Sequence, residues 1–92
     1  MTSGTVTIVN QLGMHARAAA QFVHLASRFR AAVRVARQGR EMDGKSIMGL
    51  LLLAAARGSM IQITVEGDDE TEALAALTAL VESGFGEGTC GV

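Results

Sequence analysis

The chain lacks most of the features that mark secreted, disulfide-stabilised or membrane proteins. Its 92 residues include one cysteine, so no disulfide can form within the chain and packing must stabilise the fold. No basic residue precedes Arg17, and the N-terminal segment has no signal-type apolar run. The longest apolar stretch, Ile47 to Ala56, is too short for a membrane helix, which needs about 20 residues. These absences favour a small domain in a reducing compartment such as the cytoplasm, without insertion into a membrane.

Residues that carry metal or enzyme chemistry are also sparse. The two histidines, His15 and His24, are nine positions apart, and Cys90 lies near the C-terminus. A closed structural zinc site needs four ligands, so we expect no metal. The sequence has no carboxylates paired with a base and no nucleotide-binding glycine loop. We therefore expect no cofactor, and a stand-alone enzyme is the least favoured class.

Charge is unevenly distributed, although the formal net charge is only −1. Residues 1–40 contain arginines but no Asp or Glu, whereas residues 66–92 contain acids but no Lys or Arg. The basic part could steer acidic partners, or it could be an ordinary solvated surface whose charge is balanced elsewhere. A third interpretation is RNA binding by the arginines of residues 28–40. It lacks an exposed Phe or Tyr platform on which bases stack, so we expect no nucleic-acid partner.

Hydrophobic periodicity predicts strands alternating with helices. Strands are predicted over Thr5–Val9, around Val33–Val35, over about 40–42 and over Met60–Val65. Helices are predicted from Ala16 to about Phe29, from near Ile47, and from the acidic residues 68–72 onward. The order β-α-β-β-α-β-α fits one α/β (α+β) domain over residues 1–92, an open-faced sandwich with helices on one face of an antiparallel sheet. The glycine-rich end, from about residue 85 to residue 92, is predicted to be a flexible tail.

His15 is the residue whose surroundings say most about function. It lies where a strand ends and a helix begins, facing the first free backbone N–H groups of that helix, which bind anions well. Arg17 adds a permanent cation whose planar fork of donors suits phosphate. A nucleophilic nitrogen, an anion-binding helix end and a guanidinium together suggest a histidine that carries a phosphoryl group. The alternative is an ordinary solvent-exposed histidine in a turn.

Ser46 and the short apolar helix after it have two interpretations each. Ser46 is a good N-cap for that helix, or it is a regulatory phosphorylation site whose double negative charge would repel an acidic partner. The apolar residues Ile47, Met48 and Leu51 are either core residues or part of an exposed patch that marks an interaction site.

Two segments resemble the signatures of a known family. The run Asn10-Gln11-Leu12-Gly13-Met14-His15-Ala16-Arg17-Ala18-Ala19-Ala20 resembles the active-site signature of the HPr family. The run Gly44-Lys45-Ser46-Ile47-Met48-Gly49 resembles that family's regulatory-serine signature. HPr proteins are the histidine-containing phosphocarriers of the bacterial phosphoenolpyruvate-dependent phosphotransferase system. The resemblance covers nearly the whole chain, including its length and its order of elements.

This resemblance implies a fold and a set of roles. The fold is an open-faced β-sandwich with a four-stranded antiparallel sheet and three helices, present as a monomer. His15 would accept a phosphoryl group on Nδ1 from phosphorylated enzyme I and pass it to an enzyme IIA-type domain, with Arg17 stabilising the phosphate. Ser46 would be the substrate of an HPr kinase/phosphorylase. The implied docking surface comprises Ala16, Ala20, His24, Ile47, Met48 and Leu51.

The sequence departs from the family pattern at Ala18, where proline is usual. Alanine leaves the first helical turn slightly less fixed and adds an N–H group near the phosphate. Met14 in place of the common leucine is a conservative change. The carrier is expected to be an intermediate in a relay rather than a stand-alone catalyst. The alternative function is a regulatory docking module, in a nitrogen-type branch or under a kinase, whose phosphorylation controls partner binding rather than sugar uptake.

Overall fold

Four strands and three helices alternate along the chain in the order that the periodicity predicts. The computed structural model describes residues 1–86. The elements are β1 (Thr2–Thr7), α1 (Ala16–Ala26), β2 (Ala32–Arg37), β3 (Arg40–Asp43), α2 (Ile47–Leu53), β4 (Met60–Glu66) and α3 (Glu70–Glu82). None of the helices in these residues is long and apolar enough to cross a membrane.

The strands form a single antiparallel sheet in the order β1-β4-β2-β3. Val6 lies opposite Ile61, and Val33 lies opposite Val65, so each cross-strand pair contributes to one buried face. The opposite face carries exposed polar side chains such as Gln62. The alternation along each strand therefore assigns one face to the core and the other to solvent, as predicted.

All three helices pack on the apolar face of the sheet. Phe22 of α1, Leu50 of α2 and Leu77 of α3 are each fully buried in the same core. Helix α1 contacts both α2 and α3, whereas α3 lies against β1 and β4 and α2 lies against β2 and β3. The predicted open-faced sandwich, with a four-stranded antiparallel sheet covered by three helices, is confirmed.

Helix α1 ends three residues earlier than its apolar stripe predicts. The helix stops at Ala26 rather than near Phe29, and Ser27 is its C-cap. The backbone N–H groups of Arg30 and Ala31 donate instead to the carboxylate of Asp69, each at 2.9 Å. A contact between residues almost forty positions apart fixes this turn, so local periodicity could not indicate it.

The core extends further towards the C-terminus than predicted. Phe85, assigned from the sequence to the start of the tail, is fully buried. Gly84 and Phe85 both have positive φ angles, and the Phe85 N–H donates to the Leu80 carbonyl at 3.0 Å, so the chain turns back after α3. The prediction that the tail begins at about residue 85 is therefore wrong for Phe85. The predicted tail over residues 87–92 lies outside the described residues.

Asp69 should make the stability of the fold depend on pH in acid. The hydrogen bond from the Arg30 N–H is the main cause that holds the pKa of the Asp69 carboxyl below its ordinary value of 3.8, with a further bond from Ala31. A depressed pKa means that the carboxylate stabilises the fold above pH 3.8, and that this contribution is lost as the pH falls through the lower, folded-state pKa. We expect Asp69→Asn to lose less stability than the wild type between pH 7 and about pH 3.

The measurement is urea unfolding of both proteins across that pH range. The asparagine side chain keeps an acceptor oxygen but cannot ionise, so the two stability curves should converge in acid. Parallel curves would show that Asp69 does not contribute to the pH dependence.

Candidate functional site

The turn between β1 and α1, residues 10–15, is fixed by hydrogen bonds within the turn and to the far end of α2. The side-chain amide of the buried Asn10 donates to the Gly13 carbonyl at 2.7 Å, and the Gly13 N–H donates to the Asn10 carbonyl at 3.1 Å. The Met14 N–H donates to the Ala55 carbonyl at 2.8 Å, and the Met14 side chain is buried. The residue that follows, His15, is thus held by a rigid turn rather than by a loose loop.

His15 caps the N-terminus of α1. Its backbone is extended (φ −82°, ψ 178°), and its Nδ1 atom accepts a hydrogen bond from the Arg17 N–H, with an N–N distance of 3.2 Å. N-caps are usually Ser, Thr, Asp or Asn, so an imidazole in this position is unusual. A nitrogen that accepts this bond carries its lone pair on Nδ1, which assigns the ring proton of neutral His15 to Nε2. The ring is half-buried and points its nucleophilic atom along the first turn of the helix.

The first turn of α1 offers an environment for an anion. The leading N–H groups of a helix have no acceptor within the helix, and the helix dipole places partial positive charge there. The first turn contains no acidic residue, and the guanidinium of Arg17 is exposed beside it. Ala18, by contrast, is fully buried and packs into the core. The free N–H groups and the nearby Arg17 therefore make the helix end beside His15 a suitable environment for an anion.

The exposed side of α1 carries the residues assigned to docking. Ala16, Ala20 and His24 are spaced by four residues, and all three are exposed, so they share one face of the helix. Ala20, His24 and Arg17 also line a groove of about 560 Å³ that continues to α3 at Leu80. The structure thus brings these predicted docking residues together beside His15.

Helix α2 exposes part of its apolar surface, as predicted. Ile47 is 41% exposed and Met48 is 70% exposed, whereas Leu51 is less exposed and is half-buried. Two exposed leucines outside the predicted set extend this surface, Leu52 in α2 and Leu12 in the turn before His15. Their exposure depends on the orientation of α2 and on the geometry of the turn, which a continuous run of apolar residues does not indicate.

Ser46 is the N-cap of α2, as the sequence predicts. Its Oγ accepts a hydrogen bond from the Gly49 N–H at 3.0 Å, and its own N–H donates to the Asp43 carbonyl at 3.1 Å. Ala55, which holds the turn before His15, lies beyond the other end of the same helix. Ser46 and the turn before His15 therefore lie at opposite ends of α2, a seven-residue helix roughly 10 Å long at 1.5 Å per residue.

The sequence did not indicate which residues hold His15 in place without contacting an anion themselves. Gly13 has a φ of +68°, and a Cβ atom there would lie 2.6 Å from the Ala55 carbonyl oxygen. Gly13 and Asn10 belong to the run that resembles the family signature. Their role in holding the turn against Ala55 can be seen only in the structure. Within residues 1–86, no group of three His, Cys, Asp or Glu side chains is placed to hold a metal ion.

The fold and the site together define a small open-faced α/β sandwich in which a histidine caps a helix at an anion-binding end. A family model described as the PTS HPr component phosphorylation site matches residues 2–83. The phosphocarrier protein HPr of Cupriavidus necator is 48% identical over 88 residues, which is 96% of this chain and 99% of that protein. The chain belongs to the HPr family and is a phosphocarrier protein of the phosphotransferase system.

Solved structures of this family have the same fold. HPr-C-His from Thermoanaerobacter tengcongensis superposes with a TM-score of 0.91 at 44% identity, covering 95% of this chain and 98% of that one. The HPr of Bacillus anthracis superposes with a TM-score of 0.84 at 45% identity, covering 87% of this chain and 95% of that one. The resemblance found in the two sequence signatures is thus confirmed over most of the chain.

Proposed function

We propose that His15 relays a phosphoryl group from phosphorylated enzyme I to an enzyme IIA-type domain. The observation that carries this proposal is the placement of His15 Nδ1 at the N-terminus of α1, 3.2 Å from the Arg17 N–H. That placement aims a lone pair at the position where backbone donors and a guanidinium can stabilise the phosphate.

The transfer needs no separate base. The Nδ1 lone pair attacks the phosphorus, the bond from phosphorus to the donor breaks, and its electron pair leaves with the donor. The proton on Nε2 stays in place during this step, so the imidazole gains a phosphoryl group and a positive charge that is lost when Nε2 deprotonates. The Arg17 N–H changes its acceptor from Nδ1 to a phosphate oxygen. Transfer to the acceptor domain reverses these steps.

The first test is phosphorylation by the donor system. The purified chain is incubated with enzyme I, phosphoenolpyruvate and Mg²⁺, and its intact mass is measured before and after brief acid treatment. We expect one phosphate that acid removes, as phosphohistidine requires. An unmodified mass with an enzyme I that phosphorylates another HPr would contradict the proposed relay.

We propose further that phosphorylation of Ser46 by an HPr kinase/phosphorylase regulates docking. Ser46 is adjacent to Ile47 and Met48, which are exposed and assigned to the docking surface. Ser46 caps one end of α2, whereas the turn before His15 is bound at the other end, so its charge acts on docking more than on the imidazole. This regulation would also serve the alternative function, in which the protein is a docking module controlled by a kinase.

The charge effect at Ser46 can be separated from its capping role. Asp and Asn are both good N-caps, so neither Ser46→Asp nor Ser46→Asn should change the thermal midpoint appreciably. We expect Ser46→Asp to weaken binding to enzyme I about tenfold, or about 1.4 kcal/mol, because it places a negative charge in the docking surface. Ser46→Asn keeps the cap without the charge and should bind like the wild type. The measurement is titration calorimetry, and equal affinity of Ser46→Asp and Ser46→Asn would contradict a charge switch.

A further inference from the structure

Three arginines lie at the same end of the molecule as His15, on the side of α2. Arg37 ends β2 and lies directly opposite Arg40, which begins β3. The two residues between them, Gln38 and Gly39, have φ angles of 51° and 82° and form a tight hairpin turn. Arg57 lies in the turn between α2 and β4, next to the start of β4. We call Arg37, Arg40 and Arg57 the basic flank.

The pairing of Arg37 with Arg40 is unfavourable for the fold alone. Like charges directly opposite each other in a sheet are destabilising. In the part of the chain that the structure describes, no member of the basic flank forms an ion pair with a carboxylate. The nearest acid on the hairpin, Glu41, is instead paired with Arg34 at 3.4 Å. An unfavourable local arrangement of this kind suggests a role outside the folded chain.

A shared contact with the end of α2 joins the basic flank to the turn before His15. The guanidinium of Arg37 donates to the Leu53 carbonyl at 3.1 Å, at the negative end of the helix dipole. Two residues further on, the Ala55 carbonyl accepts from the Met14 N–H, next to His15. Arg37 is half-buried by this contact, which orders its side chain before any partner binds.

The surface between Arg37 and Arg57 has the composition of a protein interface. The two residues line an open cleft of about 540 Å³ together with Ser59 and Met60. Met60 is 61% exposed in this cleft. Arginine and methionine are enriched at protein interfaces, whereas a small-anion site would not need an exposed apolar side chain. The cleft therefore fits a protein partner that carries carboxylates.

Acidic residues outnumber basic ones at the opposite end of the sheet, where Arg30 lies beside Asp69. Glu66 ends β4, and Asp69 and Glu70 follow it at the start of α3. Because β4 begins beside Arg57 and ends at Glu66, the charge changes sign along its length. A negatively charged partner is thus attracted to the end that carries His15.

We propose that the basic flank binds carboxylates on the docking face of the phosphoryl donor protein, beside the phosphoryl group that this donor carries. This inference rests on the proposed function, since it assumes that a phosphorylated protein docks at His15. The flank enlarges the docking surface beyond α1 and α2 to the β2–β3 hairpin and the α2–β4 turn. It speeds the encounter more than the chemical step, because charge complementarity mainly raises association rates.

The test compares charge reversals on and off the flank. Arg40→Glu and Arg57→Glu change exposed flank residues, and Arg30→Glu is the matched control, an exposed arginine beside Asp69 at the end of the sheet away from His15. We measure kcat/KM for phosphorylation of each variant by enzyme I at low and high ionic strength. Each flank variant should lose about tenfold at low salt, and the loss should shrink at high salt. Arg30→Glu should stay within about twofold of the wild type.

The thermal stability of Arg40→Glu provides a second test. This substitution places opposite charges across the hairpin, so its thermal midpoint should equal or exceed that of the wild type while its kcat/KM falls. Flank variants that match Arg30→Glu, with the wild type phosphorylated normally, would overturn the basic flank and leave the relay intact. A wild-type chain that enzyme I cannot phosphorylate would overturn both proposals.

Discussion

Replacing His15 with alanine is expected to abolish the acid-labile phosphate completely, because no other side chain in the site presents a nucleophilic nitrogen to the N-terminus of α1. The protein should remain folded, since His15 lies at a helix end outside the hydrophobic core and its side chain caps α1 through the Arg17 N–H. Loss of an N-cap costs about 1 kcal/mol. The measurement is intact mass after reaction with enzyme I and phosphoenolpyruvate, together with urea unfolding of the same sample.

His15→Asn is the matched control for this experiment. Asparagine is among the best N-caps but cannot form a phosphoimidazole, so it should restore the stability lost in His15→Ala without restoring phosphorylation. A phosphate that persists in either variant would place the acceptor elsewhere in the chain.

Replacing Gly13 with alanine should have the largest effect on the structure of the site. An L-residue at the positive φ of this position costs about 1–2 kcal/mol. The added methyl group would also lie 2.6 Å from the Ala55 carbonyl oxygen and 2.9 Å from the Ala56 Cα, both of which are backbone atoms. Overpacking of this kind costs about 1–3 kcal/mol more. We therefore expect a loss of about 2–5 kcal/mol in urea unfolding and a slower phosphorylation of the displaced His15.

Gly39→Ala separates the cost of a positive φ angle from the cost of a steric clash. Gly39 has a φ of +82°, but a Cβ atom there would meet nothing within 4 Å. This variant should lose only the conformational cost, about 1–2 kcal/mol. If Gly13→Ala proves as stable as Gly39→Ala and is phosphorylated like the wild type, the contact with Ala55 does not position the site.

The sequence predicts those parts of the fold that depend on neighbouring residues. Alternation places Val6 and Ile61 in the core, and a polar residue before an apolar helix identifies Ser46 as a cap, because these signals act over a few positions. His15 is also indicated locally, by its place between a strand pattern and a helix pattern. The end of α1 and the burial of Phe85 were mispredicted because distant residues or an unusual backbone turn determine them.

Positions that act through distant contacts could not be predicted. The sheet order β1-β4-β2-β3 brings β4 beside both β1 and β2, and no periodicity in the sequence gives that order. The sheet order brings Gly13 close to Ala55 and places Arg37 and Arg57 around one cleft. In the sequence, those two arginines are twenty residues apart and look like unrelated surface charges.

The capping bond of His15 bears on how reversibly the carrier works. In the free protein the Arg17 N–H is satisfied by Nδ1, and in the phosphorylated protein we propose that a phosphate oxygen takes its place. On this proposal helix α1 begins at the same residue in both states, and we expect the reorganisation energy of loading and unloading to be small. By microscopic reversibility, one geometry then serves the forward and the reverse transfer. We therefore expect the chemistry of the donor and acceptor phosphoryl bonds to set the equilibrium, and protein encounters rather than a conformational change to limit turnover.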